Sequence, residues 1–113
     1  MIKIYHNPRC RKSREGLAIL EASGKDFETV LYLEETPTQK ELSSIIAKLG
    51  ITPEALVRKN EAIWKEQFKG KTLTNAQLIE AMVAHPKLIE RPIVIHNDKA
   101  VIGRPPEKIR EFL

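Results

Sequence analysis

With 113 residues, 42% of them hydrophobic and 30% charged, the chain has the length and composition of one folded domain, which excludes whole-chain disorder. No apolar run approaches the ~18 residues of a membrane span, the first ten residues hold no apolar stretch of signal-peptide length, and neither end carries a lipidation pattern. The single cysteine, Cys10, excludes an internal disulfide and a multi-cysteine metal site; with three histidines beside it there is no metal-ligand spacing. The expected compartment is the cytoplasm, where thiols stay reduced. Net charge is +4 and the isoelectric point near 9.3, yet Arg9, Arg11, Lys12 and Arg14 gather four cations around Cys10. No aromatic lies among them to stack a base. Nucleic acid is therefore the least favoured reading of this cluster, behind a solvated helix start and an anion site.

Residues 2 to 5 alternate apolar and polar, as a half-buried strand does. Asn7 and Pro8 break it. A helix is predicted from Cys10 or Lys12 to Ser23, with Leu17, Leu20 and Ile19 inward and Gly24 at its C-terminal end. Residues 27 to 33, β-branched and aromatic, read as a second strand. Thr38 to Leu49 places Leu42, Ile45, Ile46 and Leu49 on one helical face, with Thr38 and Glu41 at capping-box spacing. Thr52-Pro53 opens a short helix reaching Arg58 to Asn60. Residues 61 to 73 give no clear period, though Trp64 and Phe68 are expected inside. Thr74 caps a helix carrying Leu78, Ile79, Met82 and Val83, stopped by His85-Pro86. Residues 93 to 96 and 99 to 102 flank Asn97-Asp98 as a hairpin. A last helix follows Pro105 and Pro106, with Ile109, Phe112 and Leu113 on one face. The order is β-α-β, three helices, β-β-α. This is a thioredoxin-like α/β layout in one domain, 1–113, with a helical insertion of about 37–90 between the halves.

In such a layout the first strand delivers a reactive cysteine to the start of the first helix, and Cys10 stands there. A helix N-terminus offers unsatisfied N–H groups and a partial positive charge, and both favour a thiolate. Arg9, Arg11, Lys12 and Arg14 are expected to add Coulombic support. The Ser13 hydroxyl, one turn on, is placed to donate to the sulfur. Cysteines so placed have pKa values of roughly 3.5 to 7.5. The alternative is a cysteine serving as a small core hydrophobe, for which an arginine-rich turn is poor ground.

The stretch IYHNPRCRKSR resembles the active-site segment of the glutaredoxin-linked arsenate reductases, a thioredoxin-fold family. The resemblance continues through LVRKN (56–60), HPKLIERPIVI (85–95) and GRPPE (103–107). It implies that Cys10 is the nucleophile, that His6 matters for activity, and that Ser13 and Arg14 help lower the thiol pKa. It further implies that Arg58, Arg91 and Arg104 bind the oxyanion and that Pro92 is a cis-proline facing the cysteine. Arginine suits the task, because its planar fork binds oxoanions bidentately and keeps its proton. Read alone, Arg58 also fits a cation at a helix C-terminus, Arg91 and Arg104 fit surface positions beside prolines, and His6 fits a strand-end histidine satisfied by backbone. The chain departs from the resemblance at Arg11-Lys12, where well-studied reductases carry small residues.

The implied activity is that of an oxidoreductase: arsenate reduction to arsenite, the Cys10 thiolate attacking arsenic. With no second cysteine, the further thiols come from glutathione as co-substrate and from glutaredoxin, or from a related thiol such as mycoredoxin or bacillithiol. No bound cofactor, metal, nucleic acid or membrane is implied. Two other readings share the fold: a regulator resembling the Spx proteins, which bind RNA polymerase, and a glutathione-dependent thiol reductase without arsenate activity. The former often carry a C-x-x-C switch, whereas Ser13 occupies the second position here.

Overall fold

The alternation of residues 2 to 5 becomes strand β1 (Ile2–Tyr5), with Ile2 and Ile4 buried and Lys3 exposed. In the computed structural model, which describes residues 1–113, β1 pairs in parallel with β2 (Phe27–Val30) and antiparallel with β3 (Ile93–His96). A hairpin joins β3 to β4 (Lys99–Ile102), giving the sheet order β2-β1-β3-β4. Asn97, in the turn, has φ 60°, a left-handed conformation that asparagine tolerates better than most residues. Helix α1 (Arg11–Ser23) is the crossover between the parallel strands, and α6 (Glu107–Phe112) closes the chain. The connectivity β-α-β … β-β-α with this strand order is a thioredoxin-like sheet.

The chain forms two compact units, one of residues 1–35 with 91–113 and the other of residues 36–90. In the first, α1 and α6 lie against each other on the sheet, where Ile2, Ile4, Leu20, Val94 and Ile109 make the core. Pro92 and Ile109 press against two glycines. A Cβ on Gly16 would stand 2.8 Å from Ile109 Cδ1 and 2.9 Å from Pro92 Cγ, and one on Gly103 would stand 2.6 Å and 2.9 Å from the same atoms. A glycine inside a helix costs about 1 kcal/mol relative to alanine. Gly16 is explained by this close approach.

The second unit is helical: α2 (Gln39–Leu49), α3 (Pro53–Leu56), α4 (Ala62–Gln67), α5 (Asn75–Ala84) and a 3-10 turn at Pro86–Leu88. Thr38 and Glu41 form a reciprocal capping box, and Thr74 forms a second one with Gln77. Leu42, Ile45 and Ile46 of α2 and Leu78, Ala81 and Met82 of α5 are buried.

Three expectations need correcting. The second strand stops at Val30, because Leu31 starts a turn in which its carbonyl accepts from Glu34 and Glu35, while Tyr32 is fully buried. The helix at Pro53 ends at Leu56 rather than Arg58 to Asn60, because Val57 bridges to Ile89 and Arg58 N–H donates to the Leu88 carbonyl at 2.7 Å. The segment without a clear period holds a fourth helix, α4, whose Trp64 is buried and stacks on Phe68 with centroids 5.4 Å apart.

Candidate active site

The loop from β1 to α1 is built around Asn7. Its side-chain Oδ1 accepts from the Arg9 N–H at 3.0 Å, an Asx-turn. Its carbonyl accepts from the Cys10 N–H at 3.0 Å, and its own N–H donates to Ser13 Oγ at 3.0 Å. Cys10 is thereby fixed as the N-cap of α1, with extended φ −95° and ψ 122°, and its carbonyl accepts the first helical bond, from Arg14 N–H. No acidic residue stands in the first turn of the helix.

Two arginines reach the sulfur from the far half of the same unit. Arg91, at 8% exposure, hydrogen-bonds the Cys10 side chain. Arg104 Nη2 lies 3.6 Å from Cys10 Sγ, and its Nε donates to the Arg91 carbonyl at 2.9 Å, so one arginine's backbone aims the other's fork. Each of the two precedes a proline through a cis peptide, Arg91-Pro92 and Arg104-Pro105. Burial is the largest single influence on Cys10 and pushes the thiol up. It is outweighed by the Ser13 backbone N–H, by the hydrogen bond and charge of Arg91 and by the charge of Arg104, so the thiol sits below its ordinary value.

Several expected contributors act differently. The Ser13 hydroxyl does not serve the sulfur. Fully buried, it accepts from Asn7 N–H and meets His6 Nδ1 at 2.6 Å, leaving the Ser13 backbone N–H to support Cys10. Arg9, Arg11, Lys12 and Arg14 are all exposed, and none is among the groups that lower the thiol. Arg14, expected to act on the thiolate, instead donates from Nη1 to the Pro8 carbonyl at 3.1 Å. The reason is geometric. Long cations at a helix start swing out to keep their hydration, whereas Arg91 and Arg104 arrive from other elements. His6 is buried against Ser13, with its pKa lowered mainly by burial and further by Arg14, against the opposing effects of the Ser13 contact and Glu21. Burial thus favours the neutral imidazole, whose Nδ1 is in hydrogen-bond contact with the Ser13 hydroxyl. Arg58 lies in the second unit, where Nη1 donates to Glu90 at 2.8 Å and Nε to Glu61 at 3.2 Å.

The first unit thus brings together His6, Cys10, Ser13, Arg91, Pro92 and Arg104. Asn7 and the close-packed Gly16 and Gly103 were not singled out as site residues from the sequence. The signals for them were an Asn-Pro turn directly before the cysteine and a glycine inside a helical period. No group of three or more His, Cys, Asp and Glu side chains is placed to hold a metal ion, and no helix is long and apolar enough to cross a membrane.

The model of the ArsC family matches residues 5–112. The chain belongs to the ArsC family. Among ArsC relatives, it is 44% identical to an arsenate reductase of Neisseria meningitidis serogroup A, over 99% of this chain and 97% of that one. It is 46% identical to an uncharacterised Escherichia coli protein, YfgD, over 99% and 96%. The solved structure of arsenate reductase from Vibrio cholerae superposes with a TM-score of 0.94 at 46% identity, covering 99% of this chain and 97% of that one.

Proposed function

We propose that this protein is an arsenate reductase that works through the single thiol of Cys10 and draws its electrons from glutathione and glutaredoxin. The observation that carries the reading is the convergence of Arg91, Arg104 and the Ser13 N–H on a sulfur held below the ordinary thiol range. A thiolate ringed by two guanidinium groups is both a nucleophile and the floor of an oxyanion site. The ArsC membership and the names of the relatives supply the oxyanion.

In this reading arsenate settles with its oxygens toward Arg91 and Arg104. The Cys10 sulfur attacks arsenic, a sulfur–arsenic bond forms, and one oxygen leaves as water after protonation. Arg91 and Arg104 neutralise the oxygens as negative charge concentrates on them, and their fixed geometry requires no reorganisation at that moment. Arg58, the third arginine that the resemblance of LVRKN points to, has its guanidinium held by Glu61 and Glu90 within the second unit. His6 acts as a positioning residue: through Ser13 it holds the turn whose N–H faces the sulfur. Reduction of arsenic(V) to arsenic(III) takes two electrons. A second thiol attacks the Cys10 sulfur, the sulfur–arsenic bond breaks with its electron pair on arsenic to release arsenite, and the two sulfurs become one disulfide; the water lost on attack is the one oxygen removed. Cys10 is the only thiol in the chain, so at least one of the two comes from glutathione and the resulting mixed disulfide is cleared by glutaredoxin.

The test is arsenite production by the purified protein with arsenate, glutathione and glutaredoxin, beside Cys10→Ala. Arsenite that depends on Cys10 and on both thiol sources supports the proposal. Disulfide reduction without arsenite would assign the fold to a glutathione-dependent thiol reductase instead.

A further inference from the structure

The chemistry above leaves four cations unused. Arg9, Arg11, Lys12 and Arg14 surround Cys10 in sequence and all are exposed, while Arg104, hydrogen-bonded to the sulfur, comes from elsewhere in the chain. Arg11 and Lys12 occupy the first turn of α1, with side chains 84% and 48% exposed. They share a single carboxylate, Glu15, at 3.1 Å and 3.9 Å. Arg14 is held by a neutral acceptor, the Pro8 carbonyl. Residues 9 to 15 therefore carry a surplus of three positive charges directed at solvent. An exposed pair of this kind adds little stability. Its physical effect is on encounter: a one-signed patch beside a reactive atom raises the local concentration of oppositely charged partners.

We infer that this cationic collar selects the exchange partners of Cys10, favouring small thiols and disulfides that carry carboxylates beside their sulfur. The inference rests on the reading of Cys10 as the reactive thiol and adds the residues, Arg11 and Lys12 tempered by Glu15, that set its preference among exchange partners. A partner must bring a sulfur atom to Cys10, and its remaining atoms then lie over the residues that flank the cysteine. Carboxylates there meet Arg11 and Lys12, whereas ammonium groups meet repulsion. The exchange itself is balanced within the pair. The Cys10 thiolate attacks one sulfur of a disulfide, the new sulfur–sulfur bond forms as the old one breaks, and the other half leaves as a thiolate that takes a proton from water. Cys10 is oxidised to a mixed disulfide while half of the partner is reduced.

The experiment measures the rate of mixed-disulfide formation at Cys10 in the full chain with three probes: oxidised glutathione, which is anionic; hydroxyethyl disulfide, which is neutral; and cystamine, which is cationic. Wild type is compared with Arg11→Gln/Lys12→Gln and with Glu15→Gln, at low and high salt, with melting curves as a folding control. The oxidised glutathione to cystamine rate ratio is expected to fall about tenfold in the double variant and likewise at high salt, and to rise about twofold in Glu15→Gln. The hydroxyethyl disulfide rate should stay within about twofold in all three proteins, because the groups that tune the sulfur are untouched. An unchanged charge ratio in the double variant, with brisk reaction toward the neutral probe, overturns the selection and leaves the nucleophile standing. No reaction with any probe overturns both.

Discussion

Arg91 offers the sharpest perturbation of the site. It is buried, it hydrogen-bonds the Cys10 side chain, and its charge helps hold the thiol down. A hydrogen bond from an ionised donor is worth about 1.5–3 kcal/mol. At 1.36 kcal/mol per tenfold, its loss shifts the thiol–thiolate balance by about ten- to a hundredfold. Arg91→Ala should therefore slow alkylation of Cys10 at about pH 6 by tenfold or more. At about pH 10 even an ordinary thiol is largely ionised, so the two rates should converge there. The variant can even lead at that pH, since a more basic thiolate is intrinsically more nucleophilic. Arsenate kcat/KM should fall at least about tenfold, because the same guanidinium is assigned to the oxyanion. Arg91→Lys keeps a charge but lacks the planar fork. It should recover alkylation at low pH better than arsenate turnover. The Arg104 Nε contact goes to the Arg91 backbone carbonyl, so it survives both substitutions and the second arginine keeps its aim. Melting curves separate these effects from the stability lost on truncating a buried side chain. Wild-type alkylation at low pH together with wild-type turnover in Arg91→Ala would refute the reasoning.

Other predictions follow from the same geometry. Gly103→Ala should destabilise the fold by about 1–3 kcal/mol, the range for overpacking, since its Cβ would meet Ile109 Cδ1 at 2.6 Å and Pro92 Cγ at 2.9 Å; denaturant midpoints measure it. Asn7→Ala should cost about 1 kcal/mol by the same measurement, the net worth of the Oδ1 bond to Arg9 N–H, and should slow Cys10 alkylation as the loop loosens. His6 has a folded pKa below its ordinary 6.5, so the unfolded chain binds the proton first as pH falls. Stability tied to His6 is therefore intact above about pH 6.5 and is lost on acidification toward the folded pKa. His6→Gln should flatten that part of the melting temperature's pH dependence, and an unchanged acid slope would remove His6 as its source.

What could be read from the sequence was whatever is encoded locally. Thr38 with Glu41 and the β1 alternation are written within a few residues, and the structure carries them out. Cys10 could be placed at a helix start because a strand, an Asn-Pro break and a helical period lie in immediate succession. Long-range pairing was not legible. Val57 fell within the last turn of an expected helix and instead bridges Ile89, more than thirty residues away. The same limit governs the site. The sequence offered four cations beside Cys10, but those are neighbours along the chain, and at a helix start their side chains turn to water. The cations that act on the sulfur, Arg91 and Arg104, are distant in sequence, and it was the resemblance through HPKLIERPIVI and GRPPE, not any local pattern, that pointed to them. Ser13 is a smaller case: the residue could be singled out, but the atom that serves the sulfur is its backbone N–H, because Asn7 and His6 claim the hydroxyl.

The central claim is that this fold turns its one thiol into a thiolate by means of Ser13, Arg91 and Arg104. The most direct measurement is the ultraviolet absorbance of the Cys10 thiolate as a function of pH, with Cys10→Ser as the blank. A single transition is expected, with its midpoint clearly below the ~8.5 of a free cysteine. A midpoint at or above that value would mean that burial wins over the two arginines and that Cys10 is an ordinary thiol.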